Sequence, residues 1–248
     1  MTNPTDHLLL KLYTNYGWGT PFEFNDISPS DIEQLVEIGL APNTCYTPPD
    51  IHFSVDPCKH PFQDSMENWP DNLFDLLGEY QITDIRMEGK IILYEECIKA
   101  FGLLYYDALG KSSRLSRQMC ISMVRDIVLW HELGHWITHW MPGSDGRRWD
   151  SKSCDYSSGS KDVHEGLAQL FTQYAIIQIE DEKERSELLL VFDWMIQHQA
   201  SCYRQHHTIM SHQNFGWKAC LNALLMLRIL GESKEATMDY LLKNLTSS

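Results

Sequence analysis

Apolar positions that recur every three to four residues divide the later part of the chain into helices, while the earlier part carries only short periodic stretches. The longest pattern predicts a helix from roughly Ser113 to Met141, with Met119, Met123, Ile127, Trp130 and Ile137 along one stripe. Further helices are expected over Asp162 to about Ile179, Asp181 to about Met210, Phe215 to Leu230 and Ser233 to Leu245, the last capped by Ser233. Another should run from about Glu95 to Leu109 and close at Gly110. Ahead of it, Gln81 to Met87 and Lys90 to Tyr94 flank Glu88-Gly89, a hairpin signal. Up to Tyr80 the chain is rich in Pro, Asn and Asp. Ser28-Pro29-Ser30-Asp31 opens a helix to about Ile38, and six prolines between Ala41 and Pro70 predict an irregular surface segment. Met141 to Lys161, with Pro142, Gly143, Gly146 and a Ser/Gly cluster, reads as a loop. The pattern predicts a mainly α (α+β) fold. An irregular part over 1–80 and a domain over 81–248 form one compact unit, with a small β element before the long helix and a helical C-terminal part.

Composition narrows this picture. A chain of 248 residues that is 43% hydrophobic and 11% aromatic is globular in character. No apolar run approaches the roughly 20 residues that span a bilayer, and Met1 to His7 is polar, so neither a membrane span nor a secretory leader is expected. The formal net charge of −14 repels phosphate backbones and disfavours nucleic acid as a partner. The acidic run Glu180 to Glu187 reads as a solvated helix start. Seven scattered cysteines, odd in number and without a C-x-x-C pair, argue against a disulfide framework and for thiols in a reducing, cytoplasmic setting.

Candidate chemistry enters with His131-Glu132-Leu133-Gly134-His135. Histidines four residues apart leave one face of a helix and can hold a single ion between them. Glu132 lies about 100° round the helix from His131. There its carboxylate can take a proton from a water on that ion without binding the metal. Zn2+ is the ion this arrangement suits. Two buried histidines and a glutamate in an apolar helix are costly without a metal or hydrogen-bond partner. A catalytic site needs a third protein ligand and one open position. Met141 stands where the metzincin pattern requires a histidine, so that version is excluded. His139, Asp162, His164 and Glu165 are the candidates in range.

The segment His164-Glu165-Gly166-Leu167-Ala168-Gln169-Leu170 resembles the third-ligand helix of gluzincins, which follows the H-E-x-x-H helix and supplies a glutamate to zinc. The resemblance implies a zincin-like metallopeptidase domain with His131, His135 and Glu165 as ligands and Glu132 as general base. It further implies hydrolysis of peptide bonds in a protein or peptide substrate, as an intracellular endopeptidase with a narrow substrate or a regulatory protein partner. An aminopeptidase and a non-catalytic partner-binding scaffold are the alternatives. Gly166 and Ala168 are small enough for two helices to meet at the ion. Many gluzincins place an aspartate four residues after the third ligand. Gln169 stands there in this chain, and its amide oxygen can accept the same N–H bond without charge.

Zincins commonly add a Tyr, His or Arg to stabilise the oxyanion. On a continuous helix from Asp181 to Met210 the apolar stripe of Leu188, Phe192 and Met195 turns polar at Gln199, Tyr203 and His206, which makes Tyr203 and His206 the candidates. His198, His207 and His212 are also in range. The strand Lys90 to Tyr94 is the candidate edge for an extended peptide. The loop carrying Arg147, Arg148 and Trp149 is placed to cover a cleft.

Overall fold

A computed structural model describes residues 50–56, 73–82, 89–110, 115–140, 160–197, 199–216, 220, 223 and 237–245. The helix expected over Ser28 to Ile38, the loop from Met141 to Gly159, and all but Cys220 and Ala223 of the Phe215–Leu230 helix after Gly216 lie outside these residues, as do Ser233 and His198.

Strands β1 (Asp50–Ser54), β2 (Gly78–Ile82) and β3 (Gly89–Tyr94) form one sheet in the order β1-β3-β2. β3 runs parallel to β1, from Asp50 opposite Lys90 to Ser54 opposite Tyr94, and antiparallel to β2, from Gly78 opposite Leu93 to Ile82 opposite Gly89. Alternation along β3 buries Ile91 and Leu93 on the helical side and leaves Lys90, Ile92 and Tyr94 half-buried on the other. The hairpin partners are therefore as expected, but the first strand lies earlier than Gln81–Met87. Gly89 is a strand residue rather than the turn. One expectation is corrected outright: Lys90 to Tyr94 is the central strand, hydrogen-bonded on both sides, and has no free edge for a peptide. The edge beside the helices belongs to β2. It also crosses the boundary placed at residue 80.

A short helix α1 (Leu73–Leu77) leads directly into β2. Helix α2 (Glu95–Tyr105) follows β3 with Glu95 and Glu96 at its electropositive first turn, and ends in a wide π turn over Tyr106–Gly110. Helix α3 (Arg117–Trp140) starts behind Ser116, whose hydroxyl accepts the Met119 N–H at 3.1 Å. This start falls later than Ser113, and it puts Met119 in the first turn, 41% exposed rather than on the buried stripe. Met123, Ile127, Trp130 and Ile137 are buried as expected. From Ile127 to Leu133 α3 is buried all round, as befits a helix packed on several sides. The sheet and α2 meet it on some sides, and helix α4 (Lys161–Ile177) and helix α5 (Glu182–Gln197) on others. Arg125 of α3 forms a two-pronged ion pair with Glu95 that fixes the two helices in register.

The single helix expected over Asp181–Met210 is three pieces. Asp181 caps α5 through the Glu184 N–H at 2.8 Å. α5 ends at Gln197, and a 3₁₀ turn over Ser201–Arg204 leads into α6 (Gln205–Met210). A final helix α7 (Met238–Lys243) is capped by Thr237. The described fold is mainly helical with one small sheet. None of its helices is long and apolar enough to cross a membrane. Cys120, Cys202 and Cys220 are free thiols, but Cys97 is disulfide-bonded, and its partner is not among the described residues. The expectation of thiols throughout is corrected there. An odd count excludes complete pairing, not one bridge between cysteines distant in sequence.

Candidate metal centre

Helices α3 and α4 cross where neither has a bulky side chain. A Cβ placed on Gly134 would lie 2.8 Å from both Cα and O of Ala168, so the two backbones touch there. That contact brings the faces carrying His131, His135 and Glu165 together. His131 Nε2 and His135 Nε2 are 3.1 Å apart, and Glu165 Oε2 lies 3.3 Å from the first and 3.5 Å from the second. These are the three residues that could hold a metal ion among the described residues. His131 is fully buried and Glu165 is 7% exposed. Asp162 and His164, on the same helix, are half-buried and outside the triangle, and the side chain of His139 lies outside the described residues.

Three acceptor atoms converge in this triangle. Unprotonated imidazole nitrogens present lone pairs, and a carboxylate oxygen can only accept, so a proton or a cation must sit among them. Burial alone would push the Glu165 carboxyl up. The imidazoles of His135 and His131 outweigh burial and hold it well below the usual carboxylate range. Four ligands at about 2.0–2.1 Å in a tetrahedron stand about 3.3–3.4 Å from one another. The observed edges of 3.1, 3.3 and 3.5 Å bracket that spacing. The donor set fits a small divalent ion with one position left over.

Around the triangle, the Phe74 ring of α1 stacks on His131 with centroids 4.4 Å apart. Tyr203 packs 5.6 Å from Phe74 and 5.9 Å from His131, and is fully buried. Glu132, 3% exposed, lies against the start of β2: a Cβ on Gly78 would meet Val128 Cγ1 at 2.7 Å and Glu132 Cγ and Oε1 at 3.2 Å. A side chain at position 78 would therefore displace the strand or the glutamate. Tyr94 donates to Glu79 Oε2 at 2.7 Å, and Gln81 Nε2 donates to Glu79 Oε1 at 2.9 Å, in a polar cluster on the sheet. Burial raises the Tyr94 phenol to about 12, with Glu79 and, further away, Glu132 adding to the effect.

Of the two residues singled out for the oxyanion, Tyr203 stands beside His131. His206 is also buried, but its contacts run elsewhere. Its Nδ1–H donates to the Tyr203 carbonyl at 3.0 Å, and its ring packs on Phe192 and His207. Gln169 is fully buried, and neither of its amide atoms makes a hydrogen bond, so it does not accept an N–H from either histidine. Phe74, Gly78 and Lys161, whose ammonium lies 5.5 Å above the Tyr203 ring, were not visible as site residues in the sequence. Each reaches the site through tertiary packing and belongs to no spaced motif. Two packed helices holding a buried His-His-Glu triangle beside a strand edge define the class of site. No protein-family model, curated protein or solved structure matches the chain.

Proposed function

We infer that the chain is a zinc-dependent peptide hydrolase built as a zincin-like domain of the gluzincin kind. The observation that carries this reading is the His131–His135–Glu165 triangle, with a second carboxylate, Glu132, buried one residue from the first ligand. His131, His135 and Glu165 would hold the ion. Zinc bound there supplies Lewis acidity and lowers the pKa of a water towards neutrality. Glu132, held between α3 and Gly78, takes the proton from the attacking water and delivers it to the departing amine. Tyr203, whose ring packs beside His131, is the candidate to donate to the developing oxyanion. The outer edge of β2 has no strand partner among the described residues and starts beside Glu132, so an extended substrate added there would cross the site.

An endopeptidase acting on a narrow protein substrate is the form of the reading we adopt. The cytoplasmic setting expected from the sequence is not carried into it, because the bond at Cys97 is uncommon in a reducing compartment. The test pairs metal analysis with cleavage of N-terminally blocked peptides. Glu132→Gln should keep the wild-type zinc content and lose about 10²- to 10⁴-fold in rate. A Glu132→Gln protein as active as wild type would overturn the role of the base. Hydrolysis confined to peptides with a free amine would replace the endopeptidase with an aminopeptidase. Zinc-loaded wild type that cleaves nothing would favour the scaffold alternative.

A further inference from the structure

The imidazole of His131 sits among three other rings. Phe74 of α1 covers one of its faces, with centroids 4.4 Å apart and planes 29° apart. His135 meets it edge-on, at 4.7 Å and 85°. Tyr203 lies 5.9 Å away and tilted, and stacks in turn on Phe74 at 5.6 Å and 25°. Phe74, His131 and Tyr203 are all fully buried.

A histidine ring turns about a soft torsion. The bond from Cβ to the imidazole has broad minima, so the plane is loosely held unless its surroundings hold it. Turning His131 about that bond would carry Nε2 out of the triangle, where it stands 3.1 Å from His135 Nε2 and 3.3 Å from Glu165 Oε2. A flat ring against one face opposes the turn, because in a close-packed interior rotation drives the imidazole edge into the carbons of Phe74. Phe74 has no hydrogen bond to offer from its side chain, so it acts through shape and stacking. It is itself well anchored. α1 packs on β2, β3, α2 and α3, and runs without a break into β2. The first residue of β2, Gly78, lies against Glu132. One short stretch of chain therefore abuts both the candidate ligand and the candidate base, which are neighbours on α3.

We propose that Phe74 is a positioning residue: stacked on His131, it holds the imidazole plane so that Nε2 faces His135 and Glu165 before an ion arrives. This rests on the metal-site part of the reading above, not on peptide hydrolysis. Stacked ring pairs contribute enough beyond simple burial to change an equilibrium by about two- to tenfold, which sets the size of the effect on metal affinity.

The experiment compares full-length wild type, Phe74→Leu, Phe74→Tyr and Leu77→Val, each stripped of metal. Each is titrated with zinc against a chromophoric chelator, and with cobalt(II), whose visible absorption reports the arrangement of its ligands. Leu77 is fully buried on the same helix and carries no ring, so Leu77→Val reads the cost of disturbed packing alone. Phe74→Leu should weaken zinc binding by about three- to tenfold and alter the cobalt spectrum. Phe74→Tyr, which keeps the ring, should restore both. Leu77→Val should lower the Tm of the metal-free protein and leave both metal readings as in wild type. Wild-type affinity and spectrum in Phe74→Leu, or the same changes in Leu77→Val, overturn the proposal. A measurement on wild type stands whether or not Phe74→Leu folds. In the metal-free protein the His131 ring protons should resonate upfield, under the face of Phe74, and keep that shift when zinc is added. Ring protons at free-imidazole positions until zinc binds overturn the proposal as well. The two readings fail in different ways. Wild type that takes up no metal sinks the metal centre, and the role of Phe74 falls with it, whereas metal uptake indifferent to Phe74→Leu sinks that role alone.

Discussion

Glu165 and Glu132 are both buried carboxylates at one site, and their neighbours give them different work. Glu165 faces two imidazole nitrogens, whereas Glu132 faces the backbone of β2. Glu165→Ala should therefore lower zinc affinity by more than about a hundredfold, beyond what loss of a supporting contact costs. Competition against a chromophoric chelator measures it, and full zinc stoichiometry at chelator concentrations that strip the His131→Ala protein would remove Glu165 from the ligand set. His206 makes a different prediction. Its Nδ1–H is committed to the Tyr203 carbonyl, so Nε2 is the site that must take a second proton, in a buried place beside Phe192. Burial first, and His207 second, lower its pKa to about 4. The folded value lies below the unfolded one near 6.5, so the neutral form's stability is fully present above about pH 6.5 and is lost as pH falls through 4. The span corresponds to about 3 kcal/mol at most. Urea unfolding between pH 7 and 4.5 should show a steeper loss for wild type than for His206→Leu, and parallel curves would remove this residue from the acid response. The candidate triangle and the buried Glu132 beside it were legible because helical spacing ties His131, Glu132 and His135 together, and the segment around Glu165 carries its own signature. Phe74 and Lys161 were not, since nothing in a linear pattern says that α1 stacks on one histidine or that α4 begins beneath Tyr203.

At the scale of elements, the site depends on how closely α3 and α4 approach. Replacing a helical glycine by alanine ordinarily gains about 1 kcal/mol of helix propensity. At Gly134 the added Cβ would lie 2.8 Å from backbone atoms of Ala168, which cannot swing aside as a side chain can. Overpacking of this kind costs about 1–3 kcal/mol. Gly134→Ala should therefore destabilise the fold by up to about 2 kcal/mol net, and it should weaken zinc binding because the helices carrying the ligands are forced apart. Equilibrium unfolding and a zinc titration check both halves, and a stabilised variant with unchanged zinc affinity would count against close helix contact. Helix positions were readable from periodicity, but the break after Gln197 was not. The Ser201–Arg204 turn keeps near-helical spacing without Gly or Pro, so the apolar stripe runs on through a change of direction. Sheet order was equally hidden. The hairpin signal paired β3 with its neighbour but could not reveal that β1, more than thirty residues earlier, closes its other side.

For the whole molecule, an ion held by the triangle would couple metal to folding. Its candidate ligands come from α3 and α4, α3 is packed by the sheet and by α2, α4 and α5, and His131 is fully buried within that packing. An unfolded chain does not hold the three atoms together, so an ion that binds only the folded form stabilises it by about 2.7 kcal/mol at a hundredfold excess over its dissociation constant. For a chain of this size each kcal/mol raises Tm by about 2–4 °C. Zinc added to chelator-stripped protein should thus raise Tm by about 5–11 °C, and Glu132→Gln should show the same rise because its carboxylate is not a ligand. His131→Ala and Glu165→Ala should lose it. The strongly acidic surface offers oxygen ligands to any divalent cation, so magnesium and calcium are the necessary comparison. A site with two imidazoles prefers zinc to either of them. An equal rise with magnesium, or a rise that persists in His131→Ala, would place the ion on surface carboxylates. A shift specific to zinc and dependent on all three residues is what a buried two-histidine, one-glutamate centre requires.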